Sequence, residues 1–106
     1  MKRDSIKDFL LDQMRELSGL KCRAMFGGYG LYAGENFFGL IHRGRVYFKT
    51  DAVSREIYRG HGMKYFQPNA RQKLAAYYEV PADVIEQADE LKNWAHTAIR
   101  VAQAAP

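Results

Sequence analysis

A two-layer α+β domain with a mostly antiparallel sheet is the fold class this sequence predicts. Three observations carry that reading. Residues 21–50, KCRAMFGGYGLYAGENFFGLIHRGRVYFKT, form an apolar and aromatic run broken only by glycine-centred turns, the sequence pattern of a β-meander. The segments before and after it place apolar residues at three- and four-residue steps, as amphipathic helices do. The resulting order is helix, three or four strands, helix, two strands, helix, which segregates helices from a mostly antiparallel sheet.

Taken in order, Ile6, Phe9, Leu10, Met14 and Leu17 line one face of a first helix, with Asp4 or Ser5 placed to cap its start and Gly19 to end it. Two loops then set the meander's register. Gly34-Glu35 has glycine in the leading position that a type II′ turn favours, and Arg43-Gly44 has it second, as in a type I′ turn. The first loop pairs Tyr32 with Phe37, Leu31 with Phe38, Gly30 with Gly39 and Tyr29 with Leu40. The second pairs Ile41 with Val46, Leu40 with Tyr47 and Gly39 with Phe48. Opposed residues share a face. One face therefore collects Gly28, Gly30 and Gly39 with Tyr32, Phe37, Ile41, Val46 and Phe48, and the glycines suggest that helices approach there. The other collects Tyr29, Leu31, Phe38, Leu40 and Tyr47, with His42, Arg45 and Lys49 at its rim.

Beyond the meander, Asp51 caps a short helix over residues 52–59, with Val53 and Ile57 one turn apart and Gly60 past its end. Residues 63–67 read as a strand stopped by Pro68-Asn69, a turn dipeptide. Residues 75–80 read as the last strand. Pro81 opens the final helix, where proline costs no hydrogen bond. Leu91, Trp94, Ala95, Ala98, Ile99 and Ala102 line that helix, Asp89 is placed to cap a break in it, and the last residues are expected to fray.

At 106 residues and 47% hydrophobic, the chain is one globular domain able to bury a core without disulfides. It has no apolar run long enough to span a bilayer. The single cysteine, Cys22, and the absence of a signal-peptide pattern predict a cytoplasmic setting. The net charge of +4 is uneven. Residues 41–75 hold eight Lys/Arg against Asp51 and Glu56, net +6, whereas residues 76–106 are net −3.

Catalysis has little to stand on. His42, His61 and His96 show no ligand spacing, Cys22 lies among apolar residues, and no carboxylate pair is placed as an acid and base. The glycines of Phe26-Gly27-Gly28-Tyr29-Gly30 run into a strand, not into the helix N-terminus a phosphate loop needs. The reading is a non-enzymatic domain with no cofactor or metal. Two interaction readings follow. Tyr29, Leu31, Phe38, Leu40 and Tyr47 form an apolar patch for a protein partner or a second copy in a homodimer, unless residues 67–75 fold over it within one chain. Arg43, Arg45 and Lys49, in the basic middle of residues 43–73, are the candidate contacts for nucleic acid, the alternative reading.

RAMFGGYGLYAGENFFGLI (23–41) followed by GRVYFKTD (44–51) resembles the N-terminal domain of the TfoX/Sxy family of bacterial competence regulators. The similarity continues through GMKYF (62–66), YYEVP (77–81) and DELKNWAHTAI (89–99). The resemblance implies an α-β(3)-α-β(2)-α fold without catalytic residues or cofactor. It also implies a transcriptional co-regulator that works through protein contacts, helping the cyclic-AMP receptor protein activate DNA-uptake genes. Better-known members carry a second, helical C-terminal domain. Residues 1–106 are expected to be the N-terminal domain alone.

Overall fold

The structure, a computed structural model, describes residues 3–25 and 27–104. Among these residues the chain opens with α1 (Arg3–Gln13). Leu10 is buried, as are Met14 and Leu17 in the looser turns that follow, and Ile6 packs partly against the same core. Phe9 departs from the expected face and stays 44% exposed, while the neighbouring Leu11 packs inward. Ser5 lies inside the first turn and does not cap it. The Asp4 side chain, the other expected cap, lies outside the described residues.

Four strands follow: β1 (Leu20–Met25), β2 (Gly28–Ala33), β3 (Asn36–His42) and β4 (Arg45–Lys49). After α2 (Ser54–Gly60) come β5 (Tyr65–Phe66) and β6 (Leu74–Glu79), then α3 (Ala82–Ile85) and α4 (Ala88–Ala104). The strands make one antiparallel sheet in the order β1-β2-β3-β4-β6-β5. The predicted α+β layout therefore holds, with four strands in the first run and the final helix broken at Glu86 and Gln87. Asp89 and Glu90 occupy the first turn of α4, where their charge suits the helix dipole. The helix continues to Ala104, so residues 102–104 of the tail expected to fray are part of α4.

Local turn chemistry decides the hairpins. Gly34 takes φ +61 in the first loop while Glu35 keeps a negative φ, as a type II′ turn requires. Arg43 and Gly44 take φ +51 and +78, the type I′ pattern, and Arg43 is the sole non-glycine described residue with positive φ. The β3–β4 register is the predicted one, with Ile41 opposite Val46 and Leu40 opposite Tyr47. Helix α2 is entered through a reciprocal cap. The Asp51 carboxylate accepts the N–H groups of Val53 (3.1 Å) and Ser54 (2.8 Å), and the Ser54 hydroxyl accepts the Asp51 N–H (3.0 Å). Its last residue is Gly60, and the left-handed residue that closes it is Gly62 (φ +77), two residues beyond the glycine expected there: the Met63 N–H reaches the Tyr58 carbonyl (3.0 Å) and the Gly62 N–H that of Arg59 (2.9 Å).

All the helices cover one face of the sheet. Leu10, Met14, Tyr58, Val84, Leu91 and Ala95 share a core with Leu31, Phe38, Ile41, Val46 and Phe48. The small residues Ala95 and Ala98 are almost fully buried, which seats α4 close against the central strands. On α2 the inward residues are Ser54 and Tyr58, the latter with its ring 4.6 Å from that of Trp94. Val53 and Ile57, the pair expected to face inward, are 80% and 54% exposed. The capped entry and the Tyr58–Trp94 contact rotate the helix by about one residue from the aliphatic pattern.

Arg43 holds a conformation that costs a side-chain-bearing residue about 1 kcal/mol or more, and asparagine tolerates it better. Arg43→Asn is therefore expected to raise the unfolding free energy by about 0.5–1 kcal/mol. A lower denaturation midpoint in urea would contradict this account of the turn.

A candidate binding groove on the helix-free face

One irregularity decides which residues face away from the helices. The β2–β3 pairing runs Gly30 with Leu40 and Leu31 with Gly39, then shifts so that Tyr32 opposes Phe37. Phe38 is the extra, bulged residue. Its ring goes to the helix side, 5.6 Å from that of Phe48, while Phe37 goes to the opposite face, 5.2 Å from Tyr32 and 5.5 Å from Tyr77. Beyond the bulge the register differs by one residue from the predicted one.

That shift overturns part of the expected face assignment. Leu31 and Phe38, assigned from sequence to the open patch, are fully buried in the helix-side core, and Tyr29 packs against that core. Gly39 does face the helix side, where an added Cβ would meet Leu31 and Phe48, but Gly28 and Gly30 face the other way. Their smallness serves the sheet itself. A Cβ on Gly28 would run into the Ile41 carbonyl oxygen, and Gly30 leaves room for the side chains of Met25, Tyr32 and Phe37.

Leu40 and Tyr47 do lie on the helix-free face, but at 5% and 9% exposure they are not open. They belong to a second apolar cluster with Phe66 and Tyr77, against which Phe37 and Ala76 pack. Phe66 supplies much of the cover, with its ring 4.7 Å from Tyr47 and 5.1 Å from His42. The open five-residue patch expected for a homodimer is thus divided between two cores, and the same chain covers the part on this face.

What remains open is a groove of about 680 Å³ between this face and residues 66–74. Phe37, Leu40, His42 and Phe66 form its floor, and Pro68 to Leu74 form its wall. The wall is held by one side chain. The Asn69 carboxamide oxygen accepts the N–H groups of Arg71 (2.8 Å) and Gln72 (3.0 Å), and its nitrogen donates to the Gln72 side-chain oxygen (3.1 Å). Leu74, at the lip, is 44% exposed.

The three cations proposed from sequence do not converge. Arg43 lines the groove together with Arg71 and Lys73. Arg45 is engaged by Glu79, 3.1 Å away across the sheet. Lys49 sits at the other end of β4 from the turn that holds Arg43, roughly 13 Å from Arg45 at the usual rise per strand residue. Arg71 and Lys73 were legible in sequence only as part of the basic middle, because their convergence depends on how the wall folds back.

Burial, with the Arg43 charge adding to it, lowers the pKa of His42 at the groove floor. Burial, followed by the Glu79 charge, raises that of Tyr47. Burial likewise raises the Cys22 thiol, which lies half-buried on β1. The histidines are on separate elements, with His61 stacked edgewise on Trp94 at 5.3 Å and His96 beside Lys92 on α4. Among the described residues no group of His, Cys, Asp and Glu is gathered to hold a metal ion, and no helix is long and apolar enough to cross a membrane.

The TfoX N-terminal domain model matches residues 12–102, which run from the end of α1 through most of α4 and include the groove. The chain belongs to the TfoX N-terminal domain family. No curated protein matches it in sequence. For this TfoX domain, the strings quoted above as resembling the family carry Phe37, Leu40 and Phe66 of the groove floor, while His42 and the wall at residues 68–74 fall outside them.

Two outcomes test this geometry. Asn69→Ala is expected to speed proteolytic cleavage within residues 67–73 with little change in melting temperature, since only the wall loses its bonds. Equal cleavage rates would mean that Asn69 does not hold it. The unfolded chain protonates histidine near pH ~6.5 and the native state binds that proton less readily at His42. Stability is therefore unaffected above that value and declines as pH falls below it. Wild type should lose stability relative to His42→Gln on acidification, and parallel pH profiles would refute the assignment.

Proposed function

We propose that this TfoX domain is a non-enzymatic interaction module of competence regulation, acting in the cytoplasm through protein contacts made at the groove. One observation carries the reading. The groove joins an apolar floor to a cationic wall on the face that no helix covers, and its exposed Leu74 is apolar surface that a partner would bury. Family membership supports the competence role, and the resemblance to co-regulators of the cyclic-AMP receptor protein supports transcription as the process served.

The test uses the organism that carries the gene, with chromosomal substitutions and transcription of DNA-uptake genes as the readout. Leu74→Ser changes an exposed residue and is expected to reduce induction about fivefold or more, the size of effect that losing one buried apolar contact produces. Val53→Ser, on the exposed side of α2, is expected to leave induction unchanged. The opposite pattern would place the contact on α2 and end the groove reading.

A further inference from the structure

The geometry points to an acidic, extended peptide segment with a bulky apolar anchor as the occupant of the groove. This rests on the groove reading above and specifies the partner's chemistry. Charge complementarity carries the inference. Arg43, Arg71 and Lys73 line the groove, and among the described residues no aspartate or glutamate does. Arg45, the next cation along β4, is already matched by Glu79 and adds no demand for an anion. The floor is apolar and aromatic, so an anion that binds there must carry apolar surface with it.

Two further observations favour a peptide over single-stranded nucleic acid. A nucleic acid would stack its bases on open ring faces and run its phosphates along a cationic track. Here the rings are engaged with one another. Phe66 is 7% exposed between Tyr47 and His42, and Phe37 lies against Tyr32 and Tyr77. The cations, too, sit together at the turn and wall rather than along the strands, with Lys49 far from Arg43. A side chain of leucine or phenylalanine size can enter beside Leu74 while neighbouring carboxylates reach the guanidinium and ammonium groups. The open lip also suits a segment rather than an enclosed small ligand, most of whose surface would have to be buried.

The groove is a joint product of two turns. The β3–β4 turn delivers Arg43, and the Asn69-bonded wall delivers Arg71 and Lys73. Asn69 is therefore a positioning residue, acting on binding through the wall it holds.

The experiment is fluorescence anisotropy on the full chain with a labelled Asp/Glu-rich peptide that carries a central Leu-Phe pair. The comparison probes are its Asn/Gln counterpart, a version with Ser in place of the apolar pair, and oligo-dT of matched length. The parent peptide should bind, in a salt-dependent manner, and the Asn/Gln and Ser versions should each bind about tenfold more weakly or worse, as expected for losing charge-assisted bonds or a buried anchor. Lys73→Gln and Arg43→Asn should each weaken the parent peptide several-fold. Arg43→Asn relieves the strained turn, so its loss of binding would not come from misfolding. Equal binding of the Asn/Gln peptide would overturn the inference, as would binding of oligo-dT without the peptide, which identifies a nucleic-acid site. Failure of every peptide while Leu74→Ser still reduces induction of DNA-uptake genes would end the acidic-segment inference and leave the groove reading standing. Silence of Leu74→Ser as well would end both.

Discussion

Phe37 and Phe38 are adjacent, and the structure packs their rings on opposite faces of the same sheet, Phe38 fully buried and Phe37 partly so. Most of the architecture follows from that division. Phe38, fully buried against Phe48, anchors the core shared with the four helices. Phe37, on the other side, joins Tyr32 and Tyr77 and leads into the cluster of Leu40, Tyr47 and Phe66. Strand alternation alone would return Gly39 to the face of Phe37. The bulge keeps Gly39 on the side of Phe38, so Leu40 and His42 continue on the helix-free face. Removing a ring as deeply buried as that of Phe38 typically costs about 3–5 kcal/mol, a large share of a small domain's stability.

The helix-free face thus has its own small core, which explains why its strands lack the polar alternation expected of a solvated sheet. Residues 66–76 cover that core at the price of folding back over the sheet, and the groove is the gap they leave. The helix layer is closed differently. Lys92 on α4 meets Glu16 at 2.7 Å, raising the lysine pKa and lowering that of the glutamate, and so ties the end of the first helical segment to α4. Glu16 is solvent-exposed and Lys92 only half-buried, so this contact orients the helices more than it stabilises the fold.

What could be read without coordinates was whatever two to five neighbouring residues settle among themselves. Gly34-Glu35 and Arg43-Gly44 specify their turns, and the second turn specifies the β3–β4 register correctly. The Asp51 cap and the buried line Leu91, Ala95 and Ala98 were equally legible, because capping and helical spacing are short-range. Family membership was carried by contiguous strings spread along the chain. Of the groove lining, Tyr29, Leu40 and Arg43 were singled out, whereas Phe37, Phe66, Asn69, Arg71, Lys73 and Leu74 were not.

By itself, then, the sequence determined the element order, the turns, the single-sided placement of helices and the family. Tertiary structure alone decided three things. Which phenylalanine faced the helices depended on how each ring packs against strands far away in sequence. The rotation of α2, which exposes Val53 and Ile57, depended on Tyr58 meeting Trp94. The groove depended on Phe66 reaching Tyr47 and His42, which brings Arg71 and Lys73 back to Arg43. Each is a competition among long-range contacts, and local pattern carries no term for the side that wins.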